Sequence, residues 1–248
     1  LSAEAAIDRA LAMQDEGADF IDIGGESSRP GSDFISATDE LKRILPVLEG
    51  LQGRLRIPIS VDTVKAEVAK QAIAAGAEII NDISAMTFDP VMISVISETK
   101  VAVVLMHMKG IPKTMQTGAI TYKDLMSDII NHLSEQIAKA HAHGIGMDKI
   151  VVDPGICFGK RIEDNLSIIR HLSELKIFGM PILVGVSRKS FIGAVTKVDM
   201  PVERIEGNAA AITATILNGS QIVRVHDVAG TRKIAAMTDA ILHGACPI

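Results

Sequence analysis

Short, nearly continuous apolar runs alternate with longer segments of helical period along the whole chain. Seven runs stand out in order: FIDIGG, IPISVDT, EIINDIS, VAVVLMHM, IVVDPG, ILVGVS and QIVRVHD. Their lengths suit strands. They do not alternate strictly between apolar and polar residues, as expected of parallel strands covered on both faces. Between them, apolar residues recur with the period of an amphipathic helix. The clearest case is residues 121–143, where Leu125, Ile129, Ile130, Leu133 and Ile137 form one stripe. End signals agree: Ser2 caps an opening helix, Asp89-Pro90 starts a short one, and Gly17 and Gly76 follow helical patterns where a left-handed residue is wanted.

A strand–helix cycle with no Ser/Gly/Pro-rich linker predicts one parallel α/β domain over residues 1–248. Two architectures compete, an open doubly wound sheet and a closed (β/α)8 TIM barrel. The even cycle favours the barrel, as does the lack of a Gly-x-Gly-x-x-Gly turn after the first strand. A barrel needs eight strands, whereas seven are visible and the sequence opens on a helix. The first strand and first loop are therefore expected to be absent from this sequence, either because upstream residues are omitted or because the barrel is open.

Composition narrows the class. Of 248 residues, 48% are apolar, enough for a large core and too many for extensive disorder. The net charge of −5 is spread over well-mixed residues, with no basic face to follow a nucleic acid or an anionic membrane. No apolar run approaches the roughly 20 residues that span a bilayer. The two cysteines, Cys157 and Cys246, are far apart and lack metal-ligand spacing, so neither a disulfide framework nor a zinc site is expected. A reducing cytoplasm is the expected location.

Polar residues gather at the C-terminal ends of the runs: Asp22, Asp62, Asn81, Asp82, His107, Asp153, Ser187 to Ser190, Arg224, His226 and Asp227. In a barrel these ends meet on one face, where active sites of this architecture lie. Carboxylates and an amide come from the first half, and Arg188, Lys189, Arg224 and His226 from the last two strands. Simpler roles compete for each residue. Asp62 can cap the helix TVKAEVAKQAIAAG, Arg188 can be a structural ion-pair partner, and His107 can be a satisfied core histidine. His141 and His143 are two apart on a helix and do not face each other. As a group, ionised carboxylates in a barrel mouth are costly unless paired, so a donor-rich ligand with an anionic tail would satisfy both halves.

The motifs IDIGGESSRPGS, ISVDT, INDIS, LMHMKGIPKTMQ, DPGICFGK, GVSRKSFIG and RVHDV, in this order, resemble the dihydropteroate synthases. The likeness runs from the first helix to near the C-terminus. It implies condensation of (7,8-dihydropterin-6-yl)methyl diphosphate with 4-aminobenzoate, with Mg2+ as cofactor, on a homodimeric TIM barrel. Carried over by motif, the pterin would be read by Asp153, Asp62, Asn81, Gly185 and Lys189. The diphosphate would be held by Ser28, Arg224 and His226, and the aminobenzoate by Ser190, Phe158, Pro30 and Arg29. Lys189, Arg224, His226 and Asp62 would then be the catalytic group. The asparagine expected to bind magnesium lies upstream of residue 1, so no metal ligand is named. Ser28 stands where threonine is usual, and Ile156-Cys157 replaces a more familiar pair, with Cys157 read as a small packing residue. Two rivals are a methyltetrahydrofolate methyltransferase, against which Arg224, His226 and SRKS argue, and a non-catalytic pterin-binding module.

Overall fold

The computed structural model describes residues 2–244, so Cys246 lies outside the described residues. In chain order the elements are α1 (Ala3–Asp15), β1 (Ile21–Gly24), α2 (Ala37–Leu51), β2 (Ile59–Asp62), α3 (Ala66–Ala74), β3 (Ile79–Asp82), α4 (Met92–Thr99) and β4 (Ala102–Met106). There follow α5 (Leu125–Ala142), β5 (Ile150–Asp153), α6 (Ile162–Arg170), β6 (Leu183–Val184), α7 (Ser190–Thr196), α8 (Ile205–Leu217), β7 (Ile222–Val223) and α9 (Val228–His243). Each of the seven quoted runs contains one strand.

Helix starts follow the side-chain chemistry. Ser2 accepts the Ala5 N–H, Ser36 that of Asp39, and Asp124 that of Ser127. The last contact starts α5 at Leu125, so residues 121–124 precede the helix that their sequence suggested. Asp89 takes the Val91 N–H before α4 with one oxygen and the Ala66 N–H of α3 with the other. That second bond removes any need for Asp62 to cap α3, and its carboxylate turns elsewhere.

All pairings are parallel and follow chain order. Strands β1 to β5 form one sheet, β6 pairs with β7, and a bridge between Val152 and Ile182 joins the two sets. The result is the arc of a (β/α)8 barrel with seven strand positions filled. Helices cover its outside, and the core runs through Leu48, Val61, Ile80, Leu105, Leu133, Val152 and Val184, all at most 0% exposed. Among the described residues no strand lies between β7 and β1. The seam there is a groove of about 990 Å3, lined by Met13, Phe20, Ile222 and Val228 and, toward the strand ends, by Asp22, Lys189, Arg224 and His226. No helix among the described residues is long and apolar enough to cross a membrane.

One strand-end carboxylate belongs to the scaffold. Asp82 is fully buried, and both its oxygens are used within its own turn. Ser84 donates its N–H and hydroxyl to Oδ1 (2.8 and 2.7 Å), and the Met86 N–H reaches Oδ2 at 3.0 Å. Ala85 and Met86 have positive φ, so this carboxylate stabilises strained backbone. Burial pushes its pKa up to about 6 against the opposing pull of those bonds. Asp82→Ala should lower folding stability by about 2–4 kcal/mol, because three donors lose their acceptor. Chemical denaturation checks this, together with unchanged pterin affinity in the folded fraction.

Candidate active site

The strand order brings distant residues together at the barrel mouth. Arg224, just beyond β7, reaches across the seam to β1 and β2: its Nε donates to Asp22 Oδ2 at 2.6 Å and its Nη2 to Asp62 Oδ2 at 3.2 Å. Asn81 on β3 donates Nδ2 to the same Asp22 oxygen at 3.4 Å. Two carboxylates thus face one guanidinium. Asp22 holds the Arg224 pKa above its usual value, while burial and then the adjacent Asp22 charge raise that of Asp62. Asp22 was visible in sequence as a polar strand-end residue without a role. Its place is beside Arg224, across the gap between first and last strands.

Asp153 ends β5, is 7% exposed, and has one oxygen fixed by the Gly155 N–H at 2.7 Å. Its second oxygen has no hydrogen-bond donor among the described residues. Burial raises its pKa, with Lys189 the first of the cations working against that shift. Lys189 arrives from the loop after β6. Its Nζ donates to the Ile156 carbonyl at 2.5 Å and stands 5.0 Å from the centre of the Phe158 ring. Burial lowers its pKa. Gly185 lines the same groove, and a Cβ there would stand 3.6 Å from Arg224 Cβ, in ordinary contact.

The second cluster flanks the first. The His226 backbone N–H and its ring Nδ1 both lie near Ser187 Oγ, at 3.3 and 3.1 Å, which fixes the ring. Burial, then Arg188, Arg224, Arg29 and Lys189, lower the His226 pKa, so the ring is neutral near pH 7 and becomes a cation only in acid. Ser190 opens α7 and is exposed, with its Oγ 4.0 Å from Cys157 Sγ. Cys157 is half-buried against the edge of the core and has φ +67, a conformation glycine adopts more cheaply.

Ser28, Arg29 and Pro30 lie on the loop of residues 25–36 between β1 and α2. That loop is pinned from below. Lys65 donates to Glu26 at 2.7 Å and to the fully buried Glu40 at 2.5 Å, and the Ile35 N–H bonds to Glu26 Oε2 at 2.8 Å. The Phe34 ring meets Phe88 edge-on at 5.9 Å. Arg29 and Pro30 are exposed.

Comparison with known proteins decides what this mouth belongs to. The family model described as Pterin binding enzyme matches residues 1–226. The dihydropteroate synthase of Synechocystis is 44% identical over 236 residues, covering 95% of this chain and 81% of that protein. The dihydropteroate synthase of Yersinia pestis, solved with a sulfonamide drug complex, superposes with a TM-score of 0.94 at 40% identity, over 98% of this chain and 87% of that one. That of Xanthomonas albilineans, solved with 4-aminobenzoic acid, gives 0.91 at 39% identity over 97% and 85%.

This chain belongs to the dihydropteroate synthase family. The TIM-barrel expectation is met, as is the family resemblance carried by the seven motifs. Within a dihydropteroate synthase, the structure gathers Asp62, Asn81, Asp153, Gly185, Lys189, Arg224 and His226 at one mouth. Ser190 and Phe158 stand beside it, and Ser28, Arg29 and Pro30 are on a loop of the same face. Asp227 instead caps α9 through the Gly230 N–H at 3.1 Å. Arg188 has no ion-pair partner among the described residues; its backbone N–H bonds to Asn208. His107 is buried, with Nδ1 at 3.0 Å from Lys160 Nζ.

Sequence reasoning missed the Glu26–Lys65–Glu40 group and Lys160. Glu40 carried a signal: it stands four residues before Ile44, on the buried stripe of α2 with Leu41, Val47, Leu48 and Leu51.

Proposed function

We propose that this chain condenses (7,8-dihydropterin-6-yl)methyl diphosphate with 4-aminobenzoate, giving 7,8-dihydropteroate and diphosphate. The observation that carries this reading is Asp153: a buried carboxylate at the mouth with one oxygen fixed and the other without a protein donor. A dihydropterin presents an amino group and ring N–H groups on one edge, and that edge supplies the donors Asp153 lacks. Asp62 and Asn81 extend the polar edge, and Lys189 donates to the carbonyl side of the ring.

Arg224, His226 and Ser28 receive the diphosphate, and Ser190 takes the aminobenzoate carboxylate, with Phe158 bounding its ring. The C–O bond to diphosphate breaks with its electron pair on the leaving oxygen, where Arg224 stabilises the charge. The pterin spreads the positive charge left on its methylene carbon. The arylamine nitrogen forms the new C–N bond and then loses its proton to solvent. Positioning and charge stabilisation suffice, with no side-chain nucleophile required.

Family likeness implies Mg2+, which commonly binds through one or two protein oxygens together with substrate phosphates and would add charge stabilisation at the diphosphate. No group of three or more His, Cys, Asp or Glu side chains arranged for a metal occurs among the described residues, and the roles above are those of the chain's own residues. A homodimer in the cytoplasm is part of the same proposal. Exposed Val195, Ile205, Met237 and Ile241 on α7, α8 and α9 support the self-association, and sedimentation velocity should show a species of twice the chain mass.

Supplying both substrates and separating the products chromatographically tests the reading. Dihydropteroate is expected. Its absence, with methyl transfer from methyltetrahydrofolate to a corrinoid, would favour the rival methyltransferase.

A further inference from the structure

The loop after β5 serves both substrates, because Asp153 begins it and Phe158 lies within it. It is also built against the loop after β4. The His107 N–H bonds to the Asp153 carbonyl at 3.0 Å. Gln116 Nε2 bonds to the Cys157 carbonyl at 2.7 Å, and the Tyr122 hydroxyl to that of Gly159 at 2.7 Å. The approach is so close that a Cβ on Gly155 would lie 1.9 Å from the His107 oxygen, and one on Gly159 would lie 2.1 Å from that of Lys109. Both glycines have positive φ, so no other residue fits at either place.

Lys160 closes this arrangement from beneath. It is 2% exposed, and its Nζ contacts His107 Nδ1 at 3.0 Å, the His107 carbonyl at 3.2 Å and the Phe158 carbonyl at 3.2 Å. None of these partners is a carboxylate, an unusual set for a buried ammonium group. The charged and titratable groups facing it are Asp153 from β5, Asp164 from α6, His107 from the end of β4, His132 from α5, Lys189 from the loop after β6, and Cys157 from its own loop. His107 and His132 stay neutral there, mainly through burial, which leaves Asp153 and Asp164 as the balancing charges. Asp164 is already bound bidentately by Arg161. Lys160 makes no ion pair with Asp153 and is tied to it through His107, whose carbonyl it binds and whose N–H holds the Asp153 carbonyl.

We infer that Lys160 is a positioning residue for the condensation, its ammonium group anchoring the loops after β4 and β5 through His107 and the Phe158 carbonyl so that Asp153 stays an acceptor and Phe158 stands against the second substrate. This rests on the dihydropteroate synthase reading. Burial lowers the Lys160 pKa to about 7, so the cation is present in the acid range where Asp153 must resist protonation.

The test measures calorimetric affinity for a 7,8-dihydropterin lacking diphosphate, as a function of pH, in Lys160→Met and Lys160→Arg, alongside kcat and KM. In Lys160→Met the loss of affinity on acidification should begin about one pH unit higher, and kcat/KM at neutral pH should fall about tenfold or more. Lys160→Arg keeps the charge, so its acid limb should match the unmodified chain, while its larger head displaces Phe158 and raises the KM for aminobenzoate. An acid limb unmoved in Lys160→Met would overturn the assignment. Failure of both variants to fold would make the lysine structural and overturn it equally. Inactivity of the unmodified chain would instead count against the parent reading.

Discussion

Replacing Asp153 by Asn is expected to weaken dihydropterin binding by about two orders of magnitude or more while leaving the fold intact. The Asn side chain can keep the Gly155 N–H on its oxygen, so the turn survives. Its amide N–H2 then meets the pterin edge where an acceptor is needed, setting donor against donor. Charge-assisted hydrogen bonds contribute about 1.5–3 kcal/mol each, and two parallel ones are lost. Calorimetry reads the effect directly, and unchanged affinity would remove Asp153 from the pterin site.

The pH dependence has a fixed sign. Because burial raises the Asp153 pKa above its ordinary 3.8, pterin affinity should fall on acidification at a pH above the usual carboxylate range. Folding stability moves the other way. Between 3.8 and the folded pKa the native chain binds more protons than the unfolded one, so this group's contribution to stability rises as pH falls through that window. A parallel loss of binding and stability would contradict a buried, ionised Asp153.

The second large effect is expected at Arg224. Arg224→Ala should lower kcat/KM for the pterin diphosphate by about a hundredfold, as removal of one charge-stabilising donor does elsewhere. Affinity for the unphosphorylated pterin should fall much less. It should nevertheless fall somewhat, because Asp22 and Asp62 lose the guanidinium between them, and Asp62, already raised by burial and by Asp22, would take up a proton more readily. Steady-state kinetics with the ester and calorimetry with the free pterin separate the two contributions. Equal losses would make Arg224 a scaffold residue that only neutralises the two carboxylates.

The strands were legible because burial on both faces leaves a compositional mark that survives without any partner. Strand length was less so. QIVRVHD yields a strand of only Ile222 and Val223, since β7 has β6 on one side and the seam on the other. Candidate site residues could be named because a parallel barrel delivers every strand end to one face. What each one touches depends on closure around the seam, which is why Asp22 gained its role only once Arg224 stood beside it.

Asp62 and Asp82 look alike in sequence, each an acid ending a short strand. They differ because backbone N–H groups two and four residues on from Asp82 turn back onto it, while Asp62 has Arg224 for a partner. Lys160 was hidden for another reason. A lysine beside glycine in a loop reads as solvent-facing, and only the close approach of two loops buries it.

The central claim is that Asp153 reads the pterin edge while Ser190 and Phe158 receive the aminobenzoate. A crystal structure of this chain with a dihydropterin and 4-aminobenzoate tests it most directly. The pterin amino and ring N–H groups should lie within hydrogen-bond distance of the Asp153 carboxylate, and the aminobenzoate carboxylate at Ser190. A pterin seated away from Asp153, with that carboxylate still lacking a second donor, would contradict it.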